Sequence, residues 1–134
     1  MIDDAALRDE LAVTRTLAMY CHLCDDGDFA RLVELFALDG SVAFDEEVVT
    51  GRDALTTWFA SRQPAERRGK HLVVNMIVDV DGDHATAVSD YVFLRLVDGA
   101  VTPTIAGRYR DRLRRDVARW VIERRDIEIM KGAP

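Results

Sequence analysis

From His71 to Met130 the apolar residues recur at every second position, a period that a helix cannot use and an antiparallel sheet can. The alternation predicts strands at His71–Val80, His84–Val97, Ile105–Arg115 and Arg119–Met130. Two turn signals, Asp81–Asp83 and Asp98–Gly99, separate the first three. The second half of the chain therefore reads as a long antiparallel meander. Along its first strand, strict alternation puts His71, Val73, Asn75 and Ile77 on one face. Leu72, Val74, Met76, Val78 and Val80 share the other. Both faces are largely apolar, whereas a monomeric sheet covered by helices on one side shows a polar outer face. The expectation is a homodimer packed through the outer face of the sheet.

The first half has helical spacing. Leu7, Leu11, Thr14, Leu17, Ala18, Cys21 and Cys24 recur at three- and four-residue intervals behind a cap at Asp3 or Asp4. This helix is expected to run to Leu23 or Cys24 and to end at Gly27, which tolerates positive φ. Asp28 caps a short second helix with Phe29, Leu32, Val33, Leu35 and Phe36 apolar. Asp39–Gly40 reads as a turn, and Ser41–Phe44 and Val48–Thr50 as two short strands. Gly51–Asp53 opens a third helix with Ala54, Leu55, Trp58 and Phe59 on one face, followed by the polar loop RQPAERRGK. Three helices and a short strand pair ahead of a meander predict an α+β domain with helices on one face of a curved sheet. The 134 residues read as a single domain over 1–134, with a frayed tail KGAP.

Composition excludes several classes. No apolar run approaches the length of a membrane helix, and the acidic start MIDDAALRDE has no signal-peptide core, so a cytoplasmic location is expected. The net charge is -6 and unevenly spread: residues 1–53 hold 13 acids and 4 bases, residues 54–134 hold 11 acids and 14 bases. The run RYRDRLRR concentrates the positive charge, but in an acidic chain with no aromatic-rich basic motif it reads as a solvated strand face paired with acids, not as a nucleic-acid surface. Cys21 and Cys24 lie inside a helix pattern with no second metal pair and read as buried core thiols. His22, His71 and His84 lack ligand spacing, and no glycine-rich phosphate loop or nucleophile elbow is present. No metal and no cofactor is expected.

The residues suited to chemistry are few. Asp25 stands at the end of an apolar helix face, and His71 starts the strand whose face should line the interior. A carboxylate that orients an imidazole and stabilises its charged form makes an acid–base pair. Tyr20, Tyr91 and Tyr109 carry phenols that can steady an oxyanion, and Tyr91 and Tyr109 have inward parity. Asn75 shares the His71 face, and Phe44, Trp58, Val73 and Phe93 supply apolar wall. His22 and His84 are expected at the periphery.

Four segments, YCHLCDDGDFARLVELFALDGSV, TGRDALTTWF, KHLVVNMIVDVDGDHATAVSDY and GRYRDRLRRDVARWVIERRDI, occur in an order that resembles the SnoaL-like branch of the nuclear transport factor 2-like superfamily. The resemblance covers nearly the whole chain. It implies a cone-shaped α+β barrel, a curved antiparallel sheet wrapped around a cavity closed by three N-terminal helices. Members include scytalone dehydratase, polyketide cyclases, ketosteroid isomerase and limonene epoxide hydrolase. The resemblance implies that Asp25 and His71 are the cavity acid and the cavity histidine of the scytalone-dehydratase-like members. Phe44 falls where that enzyme has a tyrosine, Tyr109 roughly where it has an asparagine, and Arg95 or its neighbour where it has a second histidine. The acid–base pair is kept and the electrophilic helpers differ.

The functional expectation is a cofactor-independent lyase or isomerase. Asp25, His71 and Tyr109 would be its catalytic residues. Phe44, Trp58, Val73, Asn75, Tyr91 and Phe93 would bind a small apolar cyclic carbonyl compound. The alternatives are a non-catalytic binding domain and a partner subunit resembling the β subunit of ring-hydroxylating dioxygenases.

Overall fold

The computed structural model describes residues 3–132, so Ala133 and Pro134 of the predicted frayed tail lie outside the described residues. Helix α1 spans Asp4–Asp26. Asp3 caps it by accepting a hydrogen bond from the Ala5 backbone N–H. Gly27, at φ 72°, ends it: the Gly27 and Asp28 N–H groups donate to the Cys24 and Leu23 carbonyls. Its buried residues are Val13, Leu17, Tyr20, Cys21, Leu23 and Cys24. The predicted face was rotated, since Leu7, Leu11, Thr14 and Ala18 are at most partly covered. Helix α2 spans Phe29–Val33 behind the Asp28 cap, and α3 spans Arg52–Arg62.

Six strands follow the order β2-β1-β6-β5-β4-β3 in one sheet. They are β1 Phe36–Phe44, β2 Glu47–Thr50, β3 Lys70–Asp81, β4 His84–Val97, β5 Ala100–Asp116 and β6 Arg119–Ile129. All pairings are antiparallel except β1 with β6, which is parallel. The sheet curves around the helices but does not close, because β2 and β3 remain its edges. It is an α+β fold, an open version of the expected barrel. Two strands start earlier than predicted. Asp39–Gly40 is a register shift within β1 instead of a turn, and β5 begins at Ala100, five residues upstream of Ile105. No described helix is long and apolar enough to cross a membrane.

Two bulges decide which side chains face the core. In β3 the register against β4 shifts between Val74 and Ile77, and Asn75 takes φ 54°. An extra residue inverts the parity beyond it. His71 and Val73 point inward, but so do Met76, Val78 and Val80, while Asn75 and Ile77 face out. The exposed apolar set on β3 is therefore Leu72, Val74 and Ile77, not Leu72, Val74, Met76 and Val78. In β6 the register against β5 shifts between Arg112 and Leu113, leaving Glu123 as the extra residue. Beyond it the inward position falls on Arg125.

Arg125 is fully buried. Its Nε and Nη2 donate to the two carboxylate oxygens of Asp111, at 2.7 and 2.9 Å, directly across the β5–β6 pair. The guanidinium carbon sits 3.8 Å from the Tyr109 ring centre and 4.2 Å from that of Tyr20. Nη1 has no hydrogen-bond partner among the described residues, and the cation meets the two ring faces. Burial works against the charge, but the attraction and hydrogen bonds of Asp111 outweigh it and raise the pKa above the ordinary guanidinium value. Of the five arginines in the RYRDRLRR run, four pair with acids as the charge pattern predicts, and Arg112 has no carboxylate partner among the described residues. Arg108 pairs with Asp90, Arg110 with Glu128, Arg114 with Asp39, and Arg115 with Asp9 and Asp83.

Candidate active site

Asp25 lies in the last turn of α1, where the helix dipole is negative and a carboxylate is placed against local preference. What holds it there is β3. As an edge strand, β3 has backbone N–H groups with no strand partner on one side. The His71 N–H donates to both Asp25 oxygens, at 3.0 and 3.2 Å. The His71 ring then closes on the same carboxylate, with Nδ1 2.6 Å from Oδ1. Both side chains are nearly buried, at 8% and 6% exposure. Phe93, the β4 partner of His71, covers the imidazole at 4.5 Å between ring centres. With Nδ1 committed to the carboxylate, Nε2 is the ring nitrogen left for a ligand.

His71 opens onto a cavity of about 420 Å³ between the helices and the sheet, a size suited to a small molecule. Of the residues the sequence singled out, Phe44, Trp58, His71, Tyr91, Phe93 and Tyr109 line it. Asp25 stands behind His71. Two others do not reach it. Val73 packs into the core above the bulge, and Asn75, turned outward by the bulge, donates to Asp90 at 3.2 Å. His22 and His84 are exposed.

The aromatic wall is built by contact. Tyr91 and Tyr109 stack at 4.3 Å with their planes 8° apart. Tyr91 can lie this low because its cross-strand neighbour is Gly107. A Cβ there would strike both the Tyr91 ring and the Glu128 carbonyl. Trp58 meets Phe44 and Phe59 edge-on. Burial raises the Tyr109 and Tyr20 phenols well above their usual pKa, and raises Tyr91 as well. All three therefore stay protonated at neutral pH and can donate a hydrogen bond, not accept a proton.

Tyr20, a candidate phenol from the sequence, and Arg95, placed near the cavity by resemblance, also line it, as do three residues that sequence reasoning did not single out, Gln63, Arg62 and Arg67. The last three belong to the end of α3 and the loop after it, which read as solvent-facing. Their only signal was position, since this segment immediately precedes His71. Trp58 Nε1 and Gln63 Oε1, a buried donor and a buried acceptor in the same region, have no partner among the described residues. No group of three or more His, Cys, Asp or Glu side chains comes together in a metal-binding arrangement among the described residues.

Cys21 and Cys24 are free and buried, and burial pushes their thiols up to about 11 and about 12. Thiolate is the reactive form. The native protein should therefore leave both thiols unmodified by iodoacetamide at pH 8, over a time that modifies both in urea. Mass spectrometry counts the adducts, and rapid native modification of either would overturn the assignment.

The sequence model of the family described as a SnoaL-like domain matches residues 5–126. No curated protein matches in sequence. Among solved structures, a protein of unknown function from Mycobacterium tuberculosis is 28% identical, with a TM-score of 0.89 over 96% of this chain and 76% of that one. A nuclear transport factor 2-like protein with a cystatin-like fold from Novosphingobium aromaticivorans is 29% identical, with a TM-score of 0.86 over 95% and 85%. A candidate scytalone dehydratase from the same organism shares the fold at 22% identity, with a TM-score of 0.83 over 97% and 89%.

Proposed function

We propose that this chain, which belongs to the SnoaL-like domain family, is a cofactor-independent lyase or isomerase that moves a proton beside the carbonyl of a small cyclic compound. The observation that carries the reading is the 2.6 Å contact between His71 Nδ1 and Asp25, with the imidazole opening onto an aromatic cavity. Nε2 of His71 takes the proton from the carbon next to the carbonyl. The electron pair moves into the ring of the substrate and the charge collects on the carbonyl oxygen. A phenol, Tyr109 or Tyr91, donates a hydrogen bond to that oxygen. Asp25 holds the imidazole in the tautomer with its proton on Nδ1 and stabilises the cation that forms. The imidazolium then returns the proton at another carbon, which is isomerisation, or to a departing hydroxyl, which leaves as water.

The test is deuterium uptake at the α-carbon of a panel of tetralones in D₂O, followed by NMR. Uptake dependent on the protein is expected. Saturable binding of these ketones without any uptake would leave a non-catalytic binding domain as the better reading.

A homodimer through the outer face of the sheet is also proposed, resting on the exposed Leu72, Val74 and Ile77 of edge strand β3. Sedimentation equilibrium at micromolar concentration should give about twice the 15.1 kDa chain mass, and Ile77→Asp should halve it. A wild-type monomer would remove the proposal.

A further inference from the structure

We infer that the ring compound taken by this cavity carries a carboxylate, read by Arg62, Arg67 and Arg95 at the end formed by α3 and the loop after it. The inference rests on the same cavity being the reaction site. Three arginines line the cavity and not one Asp or Glu does, in a chain whose net charge is -6. The outer sheet face differs in degree. There Arg108, Arg110 and Arg114 each have a carboxylate partner, and Arg112 has none among the described residues. In the cavity Arg62 alone has one, Glu47 at 3.3 Å. Among the described residues no carboxylate lies within ion-pair distance of Arg67 or Arg95. Arg95 spends one N–H on the Glu66 backbone carbonyl, at 3.3 Å, and keeps its charge unpaired.

Arg62 and Arg67 are exposed and Arg95 is half-buried, so water screens their mutual repulsion in part, and least where the aromatic walls displace it. An anion entering there relieves that repulsion and gains charge-assisted hydrogen bonds. The cavity then offers two chemistries, a set of arginines and an imidazole. Arg62 lies over Phe44 and Trp58, at 4.7 and 5.3 Å from their ring centres, so its charge is held against the wall. His71 and Phe93 line the same cavity, with Arg95 two residues beyond Phe93 on β4. A flat ring between them, with its carboxylate toward the arginines, would present its other edge to His71 Nε2. The expectation of an uncharged ring compound, which the apolar Phe44, Trp58, Val73, Ile77 and Phe93 suggest in the sequence, is revised accordingly.

Isothermal titration with 2-naphthoate and its neutral counterpart 2-naphthamide tests this. Naphthoate should bind about tenfold or more tightly than the amide at low salt. The preference should shrink as ionic strength rises and disappear in the Arg67→Gln/Arg95→Gln double variant. Arg110→Gln, on the outer face, should keep it. Equal affinity for the two compounds would overturn the inference. So would failure of naphthoate to bind at millimolar concentration, or a preference that survives in the double variant. The catalytic reading is separable, because Asp25→Asn should abolish deuterium uptake and keep the preference for naphthoate. A protein that prefers naphthoate and exchanges no ketone proton loses the catalytic reading and keeps this one.

Discussion

Asp25→Asn and His71→Ala are each expected to lower proton-transfer activity by about 10²- to 10⁴-fold, the range typical for loss of a general base. Asparagine is the sharper test because it preserves shape. Its carbonyl oxygen can still accept from the His71 backbone N–H. Its amide nitrogen, however, is a donor, and turned toward Nδ1 it favours the tautomer with the proton on Nε2. That tautomer presents a proton to the substrate where a lone pair is required. The double variant should lose little more than either single one, because the two residues act as a unit. Folding should be far less affected, since the pair sits at one end of α1 and outside the main apolar cluster. Deuterium uptake by the ketone panel measures activity, and circular dichroism with thermal melting measures the fold. A single variant that retains uptake within about threefold of wild type would end the assignment of a base role.

Arg125→Met and Asp111→Leu are each expected to destabilise the protein by about 3–5 kcal/mol, because either change strands a charge at a fully buried position. Such a loss is a large part of the total stability of a domain this size, about 5–15 kcal/mol. The double variant Arg125→Met/Asp111→Leu should recover most of it, since both charges go together and apolar groups fill the space. Urea denaturation of the four proteins yields the coupling. A cost below about 1 kcal/mol in Arg125→Met would mean that the pair is solvated in solution. The consequence for the site lies in the rings. Arg125 supports Tyr109, and Tyr109 supports Tyr91. The double variant should therefore be folded but carry a looser aromatic wall.

Much of the architecture was legible because it is periodic. The period of two after His71, the turns at Asp81–Asp83 and Asp98–Gly99, and the helix break at Gly27–Asp28 are local signals, each set by backbone sterics or capping within a few residues. Asp25 and His71 were visible for a related reason. Each stands at the boundary of an apolar periodic segment, where a polar residue on the inner face is conspicuous. The structure brings them to 2.6 Å.

What the tertiary structure alone decided is everything that depends on parity and on charge pairing across the fold. A single extra residue in β3 turned Asn75 outward and Met76, Val78 and Val80 inward, and nothing in the local composition marks that insertion. Another in β6 chose Arg125, one arginine in a run of charged residues, as a core residue. Burying a guanidinium is tolerable only with a bidentate carboxylate and ring faces around it. Asp111, Tyr109 and Tyr20 come from two other elements and meet Arg125 only in the folded chain. The same holds for Arg62, Arg67 and Arg95. Arg62 and Arg67 read as surface charge and Arg95 was placed at the cavity only by resemblance, and the three meet there because α3, the loop after it and β4 come together in the fold; the sign of an environment is a property of the residues assembled around it and not of any segment.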